Sequence, residues 1–317
     1  MTLYATLRLA PALAALLLAP GLQAGETPSG AVSVSKAGAP GAFAFSLASA
    51  DRVHEEAEAA SAGAAFQDMV FPESVPQGAM IIGRVPPDSR VTVGERTLRV
   101  SDYGTVVFGV GRDAEGAATV NVTPPGASPR QQSIEITPRD WPIERVDGVP
   151  PQTVSPPPEI ARRIAREQGA VSEVRTRDEA LTGFADGFIW PVEGRISGRF
   201  GNQRIYNGTP GSAHSGMDIA AATGTPVRAP ASGLVTFADD LYLTGGTVLI
   251  DHGYGISSNF LHLSRRDVAV GDRIEQGEVL GAVGSTGRST GPHLHWGMNW
   301  FDTRIDPLLV LERYGAQ

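Results

Sequence analysis

Residues 291–297 read Gly-Pro-His-Leu-His-Trp-Gly, and this short run decides how the last third of the chain is built. His293 and His295 stand two apart in a segment that reads as a strand, so both imidazoles point to one face. Working outward from it, HSGMD at 214–218 sets His214 and Asp218 four apart. Gly216 and Ile219 favour an extended segment there over a helix. FLHLS at 260–264 adds His262. Imidazole nitrogen and carboxylate oxygen are the usual ligands of catalytic zinc, which binds three protein groups and keeps a fourth position open. These residues are therefore candidates for a metal site. The helical HExxH pair of common metalloproteases is absent.

The candidates all fall in one segment, 187–317, where strand-like runs alternate with glycine turns: FIWPVEGRIS, PVRAPASGLVTFA, GTVLIDHG, ISSNFLHL, RIEQGEVLGAVG and HLHWGMNW. One catalytic domain is expected there. His252, between a strand and a Gly-x-Gly turn, reads as a hydrogen-bonded structural histidine. Asp239, Asp240 and Asp251 read as isolated surface acids rather than a carboxylate pair.

Three blocks occur in order: HSGMDIAAATGTPVRAPASGLV, VLIDHGYGISSNFLHLS and VGDRIEQGEVLGAVGSTGRSTGPHLHW. Together they resemble the lysostaphin-type zinc endopeptidases of peptidoglycan, over about residues 187–312. The resemblance implies a mainly β fold, a compact antiparallel domain with a narrow groove. It implies one zinc per chain on His214, Asp218 and His295, with His293 beside the metal and His262 facing it from another strand. It implies peptidoglycan as the partner, and cleavage of peptide bonds in stem peptides or cross-links. His293 is assigned as general base and His262 as transition-state stabiliser, with the reverse left open. Tyr206 is a candidate oxyanion partner, or else an aromatic lining the groove. The family usually has a tyrosine at Asn259 or Phe260, a departure that bears on groove lining and not on the ligand set.

Two rival readings use the same residues. A non-catalytic activator of another wall hydrolase would share the fold without all the ligands, but here all three ligands and both further histidines are present. A biotin- or lipoyl-carrier-like module would explain GTPVRAPASGLV and GDRIEQGEVLGAV, but it needs a lysine in its turn. The only lysine of the chain is Lys36, far outside this segment.

Composition narrows the setting. The 317 residues include no cysteine, which rules out disulfides, thiolate metal sites and a cysteine nucleophile. A net charge of −8 argues against nucleic acid. MTLYATLRLAPALAALLLAPGLQAGE has one early arginine, a short apolar stretch and an Ala24 end, as expected of a signal peptide over 1–24. No other segment is expected to span a membrane. A periplasmic location is expected, with secretion as the alternative. In the periplasm the bond would be D-alanine to diaminopimelate.

The rest divides into an Ala/Gly/Ser-rich linker over 25–71, a small all-β sandwich-like domain over 72–141, and a Pro-rich linker with a short helix over 142–186. ADRVHEEAEAA within the first linker reads as a short helix, and His54 there as a solvated residue. In the second linker, EIARRIAREQGAVSEV reads as a helix with Pro158 in its first turn. The β-rich domain carries no catalytic constellation. It is expected to anchor the enzyme at the wall, or to cover the groove until a regulatory protein partner moves it.

Overall fold

The computed structural model describes residues 68–315. The chain divides into Met1–Glu55 and Glu56–Gln317, and every described residue belongs to the second unit. The expected signal peptide, Lys36, His54 and the ADRVHEEAEAA helix lie outside the described residues.

Period-two alternation builds the first sheet. In Ala117–Thr123, Ala118, Val120 and Val122 are buried while Ala117, Asn121 and Thr123 are exposed. This is the pattern of a strand with one wet face. The five-stranded sheet runs Ser74–Pro76, Arg130–Thr137, Ala117–Thr123, Arg90–Val93, Arg96–Leu98. A separate pair, Met80–Arg84 with Thr105–Gly109, joins the same core through Ile81, Val106 and Phe108. The core takes in Phe71, at the end of the segment read as linker, whose ring meets Phe108 at 6.5 Å.

The larger sheet follows a different rule. Its central strand, Gly245–Gly253 (GGTVLIDHG), is buried at all nine positions, so it reads as a continuous run and not as an alternation. The order across the sheet is Arg273–Ile274, Gly233–Leu241, Gly245–Gly253, Ile256–Leu263, His293–Trp300, Met217–Ala220, Arg195–Gly198, with Thr303–Ile305 also on His293–Trp300. Every pairing is antiparallel.

The segment 142–186 does more than link. Ile143–Val146 pairs in parallel with Gln203–Tyr206, which pairs in turn with Thr209–Ala213. Such long-range parallel pairing has no local turn signal, so the sequence did not reveal it. Pro158–Val174 forms the helix, with proline in its first turn and no fully buried residue.

The two β regions are fastened to each other. Arg139 Nη1 meets Asp306 Oδ2 at 2.9 Å, and Tyr314 Oη accepts from Ile82 N at 3.0 Å. Phe108 packs edge-on to Trp300, and Trp141 edge-on to Phe200. Hydrophobic residues of both regions belong to a single buried cluster. Among the described residues, no helix is long and apolar enough to cross a membrane.

Candidate metal centre

Three neighbouring strands supply one rung of the site. Register sets Asp218 opposite His295 and His295 opposite Leu261, so the three share a face of the sheet. His293 lies two residues back on the same strand and shares that face. His214 enters from the loop before Met217–Ala220. The ligand candidates are all deeply buried, with exposures of 4% for His214, 6% for Asp218 and 4% for His295.

His262 needs a special backbone. Leu261 and His262 are consecutive, so an extended strand would aim them at opposite faces. His262 instead has φ of 65°, in the left-handed region that side-chain-bearing residues avoid. That kink turns its ring onto the His293 side, with centroids 4.7 Å apart. Strained φ values of this kind persist where the surrounding structure enforces them.

Three atoms converge. His214 Nε2 to Asp218 Oδ1 is 3.0 Å, His214 Nε2 to His295 Nδ1 is 3.0 Å, and His295 Nδ1 to Asp218 Oδ1 is 2.9 Å. His214 gives its Nδ1 proton to the Arg199 carbonyl at 2.9 Å, which leaves Nε2 bare. Asp218 offers only lone pairs. At most one proton, on His295 Nδ1, is available for three mutual contacts, so the contact between His214 Nε2 and Asp218 Oδ1 sets acceptor against acceptor. A cation resolves that repulsion. The triangle edges compare with about 3.3 Å for a tetrahedron with bonds of roughly 2.0 Å, the usual zinc distance. Two imidazoles and one carboxylate are also a common catalytic zinc set. By geometry and by chemistry these residues fit a small divalent ion.

The surroundings orient each ligand. Asp218 turns Oδ2 to Arg204 Nη2, and Arg204 Nε meets Glu144 Oε2 at 3.2 Å. Glu144 also accepts from Asn202 Nδ2 at 2.6 Å. Burial alone would raise the Asp218 pKa, but the imidazoles of His214 and His295 set against the carboxylate outweigh it and hold the carboxyl well below the usual range. Burial depresses Arg204, yet the Asp218 carboxylate and Tyr206 together more than compensate and raise it. Burial pushes His295 down to about 3 and His262 to about 4, the latter with help from His293. Gly198 makes room for the Arg204–Asp218 contact, since a Cβ there would come within 2.6 Å of both side chains.

His293 and His262 share a tautomer. His293 Nδ1 donates to the Gly291 carbonyl at 2.8 Å, and His262 Nδ1 donates to the Thr286 carbonyl at 2.7 Å. Each neutral ring therefore presents a bare Nε2 as a proton acceptor. His293 Nε2 lies 3.8 Å from Asp218 Oδ1, beyond the distances that join the triad. Tyr206 lines the same cleft of about 510 Å³, its hydroxyl 3.4 Å from Arg204 Nη1 and its ring 4.2 Å below Arg288.

Other candidates stand apart. His252 is fully buried, bonded to the Ser232 carbonyl and to Ser258 Oγ, each at 2.8 Å. Asp240 pairs with Arg266 at the surface. Asp251 corrects the expectation of a surface acid: it is 3% exposed and accepts from Gly253 N at 2.8 Å. Glu144 and Arg204 were not singled out in the sequence, because their meeting depends on the parallel pairing of distant strands.

Comparison with known proteins finds a family and several relatives. Residues 212–307 match Peptidase family M23. The cell division protein DipM of Caulobacter vibrioides is 30% identical over 235 residues, covering 72% of this chain and 35% of that protein. The peptidoglycan DD-endopeptidase ShyC of Vibrio cholerae is 40% identical over 103 residues, covering 32% of this chain and 24% of that protein. The chain thus spans about a third or less of the length of these curated relatives. The crystal structure of a candidate peptidase M23 from Pseudomonas aeruginosa matches with a TM-score of 0.58 at 29% identity, covering 74% of this chain and 94% of that one.

Proposed function

The chain carries a peptidase family M23 domain over residues 212–307, and from that premise we propose that it is a zinc-dependent endopeptidase of peptidoglycan peptides. The observation that carries the reading is the triangle of His214 Nε2, Asp218 Oδ1 and His295 Nδ1. Those three residues would hold the zinc. When bound, zinc supplies Lewis acidity: it acidifies water and polarises a carbonyl oxygen.

The chain's own residues supply proton transfer. His293 Nε2, bare and close to the triad, takes a proton from the attacking water and passes it to the leaving amine. His262 Nε2, bare in the neutral ring, faces the same space and steadies the tetrahedral state by accepting a hydrogen bond from the hydroxyl that the attacking water leaves on the carbon. The shared resting tautomer makes the two rings interchangeable at first: whichever accepts a proton becomes the donor. Arg204 keeps Asp218 turned toward the imidazoles. Tyr206 lines the cleft, and its hydroxyl is a donor for the oxyanion.

The bond we propose is the D-alanine to diaminopimelate cross-link of a periplasmic wall. The DD-endopeptidase relative and the signal-peptide reading support that choice. A non-catalytic activator has no use for converging metal ligands. The test is digestion of purified sacculi by the full chain with product masses recorded. Conversion of cross-linked dimers to monomers is expected, and intact dimers after prolonged incubation with zinc would overturn the proposal.

A further inference from the structure

On the far side of the His295 rung a second cavity, of about 370 Å³, opens between the Pro158–Val174 helix and the sheet. Leu249 and Leu261 floor it and Val171 roofs it. Ser215 joins it to the metal site, with Oγ 3.5 Å from His295 Nε2. Asn259 lies two residues along the strand from Leu261, about 7 Å at the usual rise.

The charges in this cavity are unbalanced. Arg175, just past the helix, reaches Asn259 Oδ1 with Nη2 at 3.3 Å, while its buried Nε has no partner. Arg304, exposed at the rim, comes from the strand paired with His293–Trp300. Neither guanidinium forms an ion pair with any described residue. Glu167 also lines the cavity, but its Oε1 is taken by Arg163 and its Oε2 by Tyr242 N. Burial, and then the charge of Arg304, push Arg175 down to about 10. Two cations are thus held together against repulsion, with a donor left unsatisfied. Guanidinium forks match carboxylates in a planar, two-bond geometry, and an anion between them would reverse both costs.

We propose that Arg175 and Arg304 form a carboxylate subsite for the substrate peptide, gripping an acid group carried on an aliphatic residue that lies on Leu249 and Leu261. This rests on the endopeptidase reading and adds a specificity determinant to it. Two substrate carboxylates could occupy the site: the free carboxylate at the diaminopimelate centre and the carboxylate at the end of a stem peptide.

The experiment measures kcat/KM of the full chain on three cross-linked peptide dimers, one with both carboxylates free, one amidated at the diaminopimelate centre and one amidated at the stem terminus. One of the amides is expected to be cut at least about tenfold more slowly than the free acid, as suits loss of charged hydrogen bonds, and its identity names the carboxylate. Arg304→Gln at the exposed rim and Arg175→Gln should each reduce that ratio toward one. Zinc content and thermal unfolding of both variants report on folding. Equal rates on all three dimers would overturn the subsite, as would a ratio that survives in both folded variants. Failure to cut any dimer would instead overturn the endopeptidase reading on which it rests.

Discussion

Arg204 occupies Oδ2 of Asp218, so that only Oδ1 is left to face the imidazoles of His214 and His295. Glu144 grips the same guanidinium through Nε, and the three residues form a line from the parallel strand to the ligand triangle. Outer partners of this kind commonly set metal affinity by factors of about 10 to 100. Arg204→Gln is therefore expected to weaken zinc binding by about that factor. Competition titration with a chromophoric chelator measures it. An unchanged affinity would show that Asp218 holds its orientation without the arginine.

Ligands and proton carriers separate under mutation. His295→Ala and Asp218→Ala remove corners of the triangle and should leave the purified protein without zinc. His293→Ala and His262→Ala should retain it, yet lose about 10²-fold or more in turnover. Elemental analysis of the four variants, alongside rates on a peptide dimer, checks both halves. Loss of zinc from His293→Ala would move that residue into the ligand set.

Asp251 makes a stability prediction with a defined pH sign. Burial, opposed by the Gly253 amide, raises its pKa to about 6 from 3.8. Above pH 6 the folded chain carries a charge that the unfolded chain carries more cheaply. The penalty fades as pH falls from 6 through 3.8, where both states are protonated. Two pH units correspond to about 3 kcal/mol at most. Asp251→Asn keeps an acceptor for Gly253 N and removes the charge, so it should stabilise by about 1–3 kcal/mol near pH 8. The gain should shrink toward zero near pH 4, as read from denaturant midpoints. A gain independent of pH would contradict the assignment.

The catalytic segment leans on what precedes it. A fragment of residues 187–317 lacks Glu144, the strand Ile143–Val146 and the Arg139–Asp306 ion pair, which is mostly buried. It also uncovers Trp300 and Ile305, which pack against Gly109. Breaking a buried ion pair alone typically costs about 3–5 kcal/mol. The fragment is expected to melt well below the full chain and to bind zinc more weakly. Equal melting temperatures in calorimetry would mean that 187–317 is self-sufficient.

Much of the site was legible because its chemistry lies in ordered short motifs. Strand periodicity put His293 and His295 on one face, and the structure pairs that face with Asp218. The alternation in ATVNVT likewise gave the first sheet. Periodicity failed at His262, whose left-handed φ reverses the face that alternation assigns. It failed again at Ile143–Val146, a strand inside a proline-rich stretch whose partner lies some sixty residues on. Asp251 looked exposed because acids usually are, and only the all-buried central strand explains why it is not. The arginine pair gave no sequence signal, since Arg175 ends the helix of the 142–186 segment and Arg304 lies near the far end of the catalytic segment.

The account stands most directly on one measurement: release of monomeric muropeptides from purified sacculi by the full chain, before metal removal, after it, and after zinc is restored. Release should stop when the protein is stripped and return with about one zinc per chain. Undiminished release from fully metal-free protein would contradict it.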